Sequence, residues 1–111
     1  MEFNEAALAL APASPGVYML YQGERLIYIG IAVQGTGIRQ QLEKHLSGRH
    51  GPRTRAATSF EYEVTRDPVV ASREHLVAHM ARNRGRLPIC NRADGLLQPT
   101  QELERDLRAD R

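Results

Sequence analysis

The sequence predicts a small α+β domain: a three-stranded antiparallel sheet flanked by helices in the order β-β-α-β-α, with a short C-terminal helical extension. Three observations predict it. Two apolar runs rich in β-branched and aromatic residues, 16–21 and 26–31, stand on either side of a turn signal. Apolar residues then recur at helical spacing through Ile38, Leu42 and Leu46. A third alternating run, Phe60 to Thr65, leads into Asp67-Pro68, a strong helix start.

Taken in order, residues 1–14 read as a loosely structured lead or short helix, 15–97 as the domain proper and 98–111 as a tail or short helix. Pro15-Gly16 opens the first strand, and Gln22-Gly23-Glu24 reads as the turn to the second. An odd-length loop of this kind puts Tyr18 and Tyr28 on one face of the hairpin, whereas an even loop would separate them. Thr36 is expected to cap a helix over 37–46 that Ser47-Gly48 ends. Residues 48–58 read as a basic Gly/Pro loop, and the helix begun at Asp67-Pro68 should run to about Asn83 and stop at Gly85. Residues 87–91 look like an extended return, and Thr100 could cap a last helix carrying Leu103 and Leu107.

Composition narrows the function classes. A chain of 111 residues, 41% hydrophobic and 25% charged, suits one soluble domain with a modest core. No apolar run approaches the ~20 residues of a membrane span, and Met1-Glu2 offers no basic start for a secretory signal. One cysteine, Cys90, cannot form an internal disulfide, so a reducing, cytoplasmic setting is expected; in its apolar run it reads as a small buried hydrophobe. Net charge is only +2, but Lys44 is the sole lysine among 15 basic residues. Codon usage in a GC-rich genome explains an arginine excess as readily as function does. Even so, two clusters, Arg49-His50-Arg53-Arg55 and Arg82-Arg84-Arg86, suit a nucleic-acid backbone, with Arg49, Arg53, Arg55, Arg84 and Arg86 as the candidate contacts.

Three residues invite chemistry, each with a plainer reading beside it. Glu74 shares a helical stripe with Val70, Val77 and Ala81, where a carboxylate must be paired, hydrated or bound to a cation unless it simply reaches water at the helix edge. Asn91, after Pro88, can bond a loop or a phosphate, or be an ordinary turn residue. His45 could act as acid or base near neutral pH, although a histidine beside a core stripe is more often structural. His75 and His79 have an i, i+4 spacing that can hold zinc, but without a HExxH pattern they read as helix-surface residues.

Gly16-Val17-Tyr18, Tyr28-Ile29-Gly30, His45, Glu74 and Pro88-x-x-Asn91 occur in the order and context of the GIY-YIG nuclease family, which the chain resembles over residues 15–91. That family includes the N-terminal incision domain of the bacterial excision-repair nuclease, several homing endonucleases and some restriction enzymes. The resemblance implies a metal-dependent endonuclease acting on DNA. Tyr18 and Tyr28 would place or activate water, and Glu74 would bind one Mg²⁺ (or Mn²⁺). Asn91 would support the sheet and the phosphate site, and His45 matches a histidine of the family's first helix.

Two departures qualify that implication. The family carries an arginine one helical turn before the histidine, where this chain has Gln41; Arg39 falls near the expected distance from Gly30 but one residue late. Arg39 and Gln41 point about 200° apart on a helix, so they cannot substitute for one another unless the helix register shifts, the case in which Arg39 is the catalytic candidate. Ile31 stands where many members have a basic or small residue. Three functions follow: a DNA endonuclease, weakened if its arginine is displaced or lost; a catalytically silent nucleic-acid-binding module; or a protein-interaction domain. A lone catalytic module should bind weakly unless it forms a homodimer or joins a larger repair or modification complex.

Overall fold

A computed structural model describes residues 1–92. Strands β1 (Gly16–Gln22), β2 (Arg25–Ala32) and β3 (Ser59–Val64) form an antiparallel sheet in the order β2-β1-β3. Four helices accompany it: α1 (Glu5–Leu8), α2 (Gly37–Leu46), α3 (Pro52–Arg55) and α4 (Pro68–Arg82). The chain is therefore α+β, as the alternation of patterns predicts. None of the helices described is long and apolar enough to cross a membrane. The expected tail helix around Leu103 and Leu107 lies outside the described residues.

The sheet buries both faces. Tyr18, Leu20, Tyr28 and Phe60 pack with Ile38 and Leu42 of α2 and with Phe3, Leu8 and Ala11 of the N-terminal segment. On the opposite face Val17, Met19 and Ile29 pack with Ala71 and Leu76 of α4. This division follows from the strand alternation of side chains.

The hairpin reaches the expected arrangement of tyrosines by a different route. Gln22 pairs with Arg25, so the turn is the two residues Gly23-Glu24, with Gly23 at φ 62. Such an even loop would put Tyr18 and Tyr28 on opposite faces. A bulge restores the match: Leu20 pairs with Tyr28 but Tyr21 pairs with Leu26, leaving Ile27 as the extra residue. Tyr18 and Leu20 thus share a face with Tyr28.

The N-terminal segment is more than a loose lead. Glu2 bridges to Ser59 beside β3, Asn4 caps α1 by accepting from Ala7 N, and Phe3 and Leu8 are buried. The same segment also caps α2. Thr36 makes no side-chain capping bond. Instead Gly37 N donates to Val33 O, Ile38 N to Ser14 O and Arg39 N to Pro12 O, at 3.0–3.1 Å. These are the N–H groups that a helix start leaves unpaired, and the N-terminal segment satisfies two of the three, more than one hydroxyl could. Gly37, at φ 82, lets that segment approach; a Cβ there would come within 2.6 Å of the Ala13 carbonyl carbon.

Candidate functional site

Tyr18, Tyr28 and His45 converge beneath α2. The Tyr18 and Tyr28 rings lie 6.0 Å apart between centroids, and the His45 ring is 5.4 Å from one and 5.0 Å from the other. Tyr18 OH and His45 Nε2 share a 2.7 Å hydrogen bond, while His45 Nδ1 shares one of 2.8 Å with Thr54 Oγ1. Ile38, Leu42 and His45 form the inward face of α2, and α3 turns Thr54 inward while Arg53 and Arg55 remain exposed.

Both motif glycines serve this packing. Gly30 pairs across the strand with Tyr18, whose ring lies over the glycine; a Cβ on Gly30 would overlap the Tyr18 phenol and approach Tyr28 Cε2 to 2.7 Å. At Gly16 a Cβ would press on Glu63 O of β3 and come within 2.8 Å of Ile38 Cδ1.

The group is enclosed. Tyr18, Tyr28 and His45 are 2%, 5% and 1% exposed, and the His50 ring sits 4.4 Å from that of His45. Burial, and secondarily the charge of His50, holds His45 well below the ordinary imidazole range. His45 is therefore neutral at pH 7, with one ring nitrogen donating and the other accepting, so the Tyr18 and Thr54 hydroxyls take opposite hydrogen-bonding roles. His50 is lowered too, by burial and then by Lys44.

Asn91 serves the sheet. Its Oδ1 accepts from Ile29 N at 2.7 Å and its Nδ2 donates to Ile29 O at 2.8 Å. The side-chain amide thus pairs with the edge strand β2 as another strand would. The segment expected to be extended here closes instead as a single 3-10 turn, Ile89–Arg92, with Asn91 N donating to Pro88 O.

Arg39 and Glu74 are not brought to the tyrosines. Arg39 Nε donates to Ala11 O at 2.7 Å, binding α2 to the N-terminal segment. Gln41, one turn before His45, lies about 40° from it around the helix, whereas Arg39 lies about 120° away. Glu74 is exposed, and so is the stripe expected to bury it: Val70 and Val77 are 55% and 66% exposed. Helix α4 instead buries Ala71, Ser72 and Leu76, because the chain entering from β3 lays that side on the sheet. Glu74 is roughly 140° around the axis from this face, and α4 covers the side of the sheet opposite the phenols.

The remaining candidates separate by location. Arg49, Arg53 and Arg55 are exposed around α3, near the His45 group, while Arg84 and Arg86 are exposed beyond the end of α4. His75 Nε2 meets Glu63 Oε1 at 2.9 Å on the surface. Among the described residues no group of three or more His, Cys, Asp or Glu is placed to hold a metal ion. Cys90 is half-buried against the first core. Sequence reasoning missed Thr54, which sits among arginines in a stretch that reads as loop. It also missed the contact of the His50 ring with that of His45, tilted by 42°, visible before only as part of a basic cluster.

The fold and site define a small α+β domain with paired tyrosines on a hairpin and a buried histidine between them. Over 72 residues the chain is 36% identical to UvrABC system protein C of Moorella thermoacetica, a match covering 60% of this chain and 11% of that protein. The chain thus spans about a tenth of that protein's length. No family model matches the chain, and no solved structure does.

Proposed function

We propose that this chain is a nucleic-acid-binding domain built on the GIY-YIG nuclease scaffold, with its hydrolytic groups kept apart. The observation that carries this reading is the enclosure of Tyr18, Tyr28 and His45 under α2, with Gln41 rather than an arginine on that helix face. A phosphodiester must reach the group that activates water and meet cationic help for its developing charge. Buried phenols beside a neutral amide offer neither. Mg²⁺ or Mn²⁺ held by Glu74 would lie on the outer side of α4, away from the phenols, so these residues do not fit one metal-centred site and no hydrolytic step at the tyrosines can be routed through it. The similarity to UvrABC system protein C supports the same kinship as the paired tripeptides and favours DNA as the ligand. Exposed Arg49, Arg53 and Arg55 supply backbone contacts.

A second reading, a DNA endonuclease, is favoured by one observation: the Tyr18–His45 hydrogen bond. It joins a phenol to a nitrogen that could take its proton while the phenol accepts one from water. Burial opposes the imidazolium that this step would form.

Plasmid nicking with Mg²⁺ or Mn²⁺, run beside salt-dependent DNA retention, decides between them. The binding reading expects wild type and Glu74→Ala to be equally inert, with retention that falls steeply as salt rises. Nicking by wild type that Glu74→Ala abolishes would establish the endonuclease instead.

A further inference from the structure

A cleft of about 600 Å³ opens at the hairpin end of the sheet, between Glu24-Arg25, the last turn of α4 and residues 86–89. Arg25 stands on its hairpin wall, with Arg82, Arg84 and Arg86 on the wall opposite. Among the described residues none of these guanidiniums is in an ion pair, and Glu24 is the one carboxylate in the lining. Arg82 in the last turn of α4 suits the negative end of a helix. Arg25 begins a strand and has no helix end to serve, so that effect does not account for the gathering.

The backbone shapes the basic wall. Arg84 and Gly85 adopt left-handed conformations, φ 57 and φ 79. Gly85 N donates to Met80 O at 2.7 Å and Arg86 N to Asn83 O at 3.1 Å, which turns the chain back sharply. The charges converge on one imidazole: burial first, then Arg82 and Arg25, lower His79. The other surface carries apolar side chains. Tyr21, Leu26 and Leu87, each half-buried, pack on the Val17–Leu76 side of the sheet, and the Tyr21 hydroxyl donates to Glu61 Oε1 at 2.8 Å, which steadies the ring.

We infer that this cleft binds an unpaired nucleotide, with its arginines on the phosphate and the half-buried Tyr21–Leu87 side against the base. Guanidiniums match phosphate oxygens in paired geometry, and an aromatic surface accepts any base without reading its sequence. A duplex stacks its bases inside and offers no base face to such a wall. Tyr21 and Leu87 belong to the α4 side of the sheet, so this site is separate from the Tyr18–Tyr28–His45 group. The nucleotide could come from a single strand or from the free pool. The inference rests on the nucleic-acid reading above only for the first source.

Anisotropy of a labelled single-stranded oligonucleotide and of a blunt duplex, with the full chain, tests it. Arg25→Gln/Arg82→Gln is compared with Arg53→Gln/Arg55→Gln, and ATP is titrated while the His79 imidazole is followed by NMR. All four arginines are exposed, so the thermal midpoints should be unchanged. The expected result is single-strand affinity about tenfold weaker in the cleft variant, with the logarithmic salt slope reduced by about 1.4 for two lost contacts, and little change for duplex. If wild type binds single strands and the cleft variant binds them equally well, or loses duplex to the same degree, the inference is wrong while nucleic-acid binding stands. If no oligonucleotide binds but ATP shifts His79 in wild type and not in the cleft variant, the nucleotide site stands and the nucleic-acid reading fails. If neither ligand binds, both fail.

Discussion

At the scale of single residues, Gly30 and His45 carry the sharpest consequences. The Tyr18 phenol occupies the space a Cβ on Gly30 would need, and the ring has little freedom because His45 holds its hydroxyl. Gly30→Ala should therefore destabilise by about 1–3 kcal/mol, the usual cost of overpacking, read as a lower urea midpoint. His45 makes stability pH-dependent. Its folded value lies below the unfolded value of 6.5, so as pH falls the unfolded chain takes up protons first. Stability is fully present above about pH 6.5 and declines below it, by at most about 1.4 kcal/mol per pH unit for one imidazole. His50 and His79 are lowered as well and add in the same direction. The urea midpoint should drop between about pH 7.5 and about pH 5, and His45→Gln should drop less. An unchanged slope in that variant would remove His45 as the cause. The tyrosines were legible as a pair in the sequence; Thr54, the partner of His45, was not, because a hydroxyl nine positions after a histidine has no periodic relation to it.

At the scale of elements, Asn91 and α4 show where local pattern suffices and where it misleads. Asn91→Ala leaves the Ile29 N–H and C=O without the bonds they now make, inside the structure. The expected cost is about 2–3 kcal/mol, with faster hydrogen exchange at the Ile29 amide; Asn91→Asp, which can accept but not donate, should fall between. The start of α4 was readable from Asp67-Pro68, yet its inward face was not. Apolar residues lie on more than one side of this helix, and the valines looked like the better core. Leu76→Ala should cost about 2–3 kcal/mol, at the lower part of the range for buried leucine, whereas Val70→Ser/Val77→Ser should stay within about 0.5 kcal/mol of wild type, as exposed positions do. Thermal or urea unfolding of the two variants checks both. If the valine variant proves the more damaging, the helix is rotated from the orientation described.

At the scale of the whole molecule, the sheet separates two regions of possible function. One face holds the enclosed tyrosine–histidine group with Arg49, Arg53 and Arg55 nearby; the other, at the hairpin end, gathers Arg25 with Arg82, Arg84 and Arg86. Binding measured against salt should lose slope when either arginine set is neutralised, and the losses should add if the regions are independent. By itself the sequence determined the strands, the long helices and the two phenols, since alternation, helical spacing and Gly/Pro punctuation act over a few residues. Only the tertiary structure decided which side chains come together: the bulge at Ile27 that aligns the tyrosines, the rotation that turns Glu74 outward, the capping of α2 by Ser14 and Pro12, and the placing of Arg25 and Arg82 on the walls of one cleft. Each depends on register or rotation between segments distant in the chain. A one-residue slip or a partial turn of a helix reverses such a contact while leaving every local pattern unchanged.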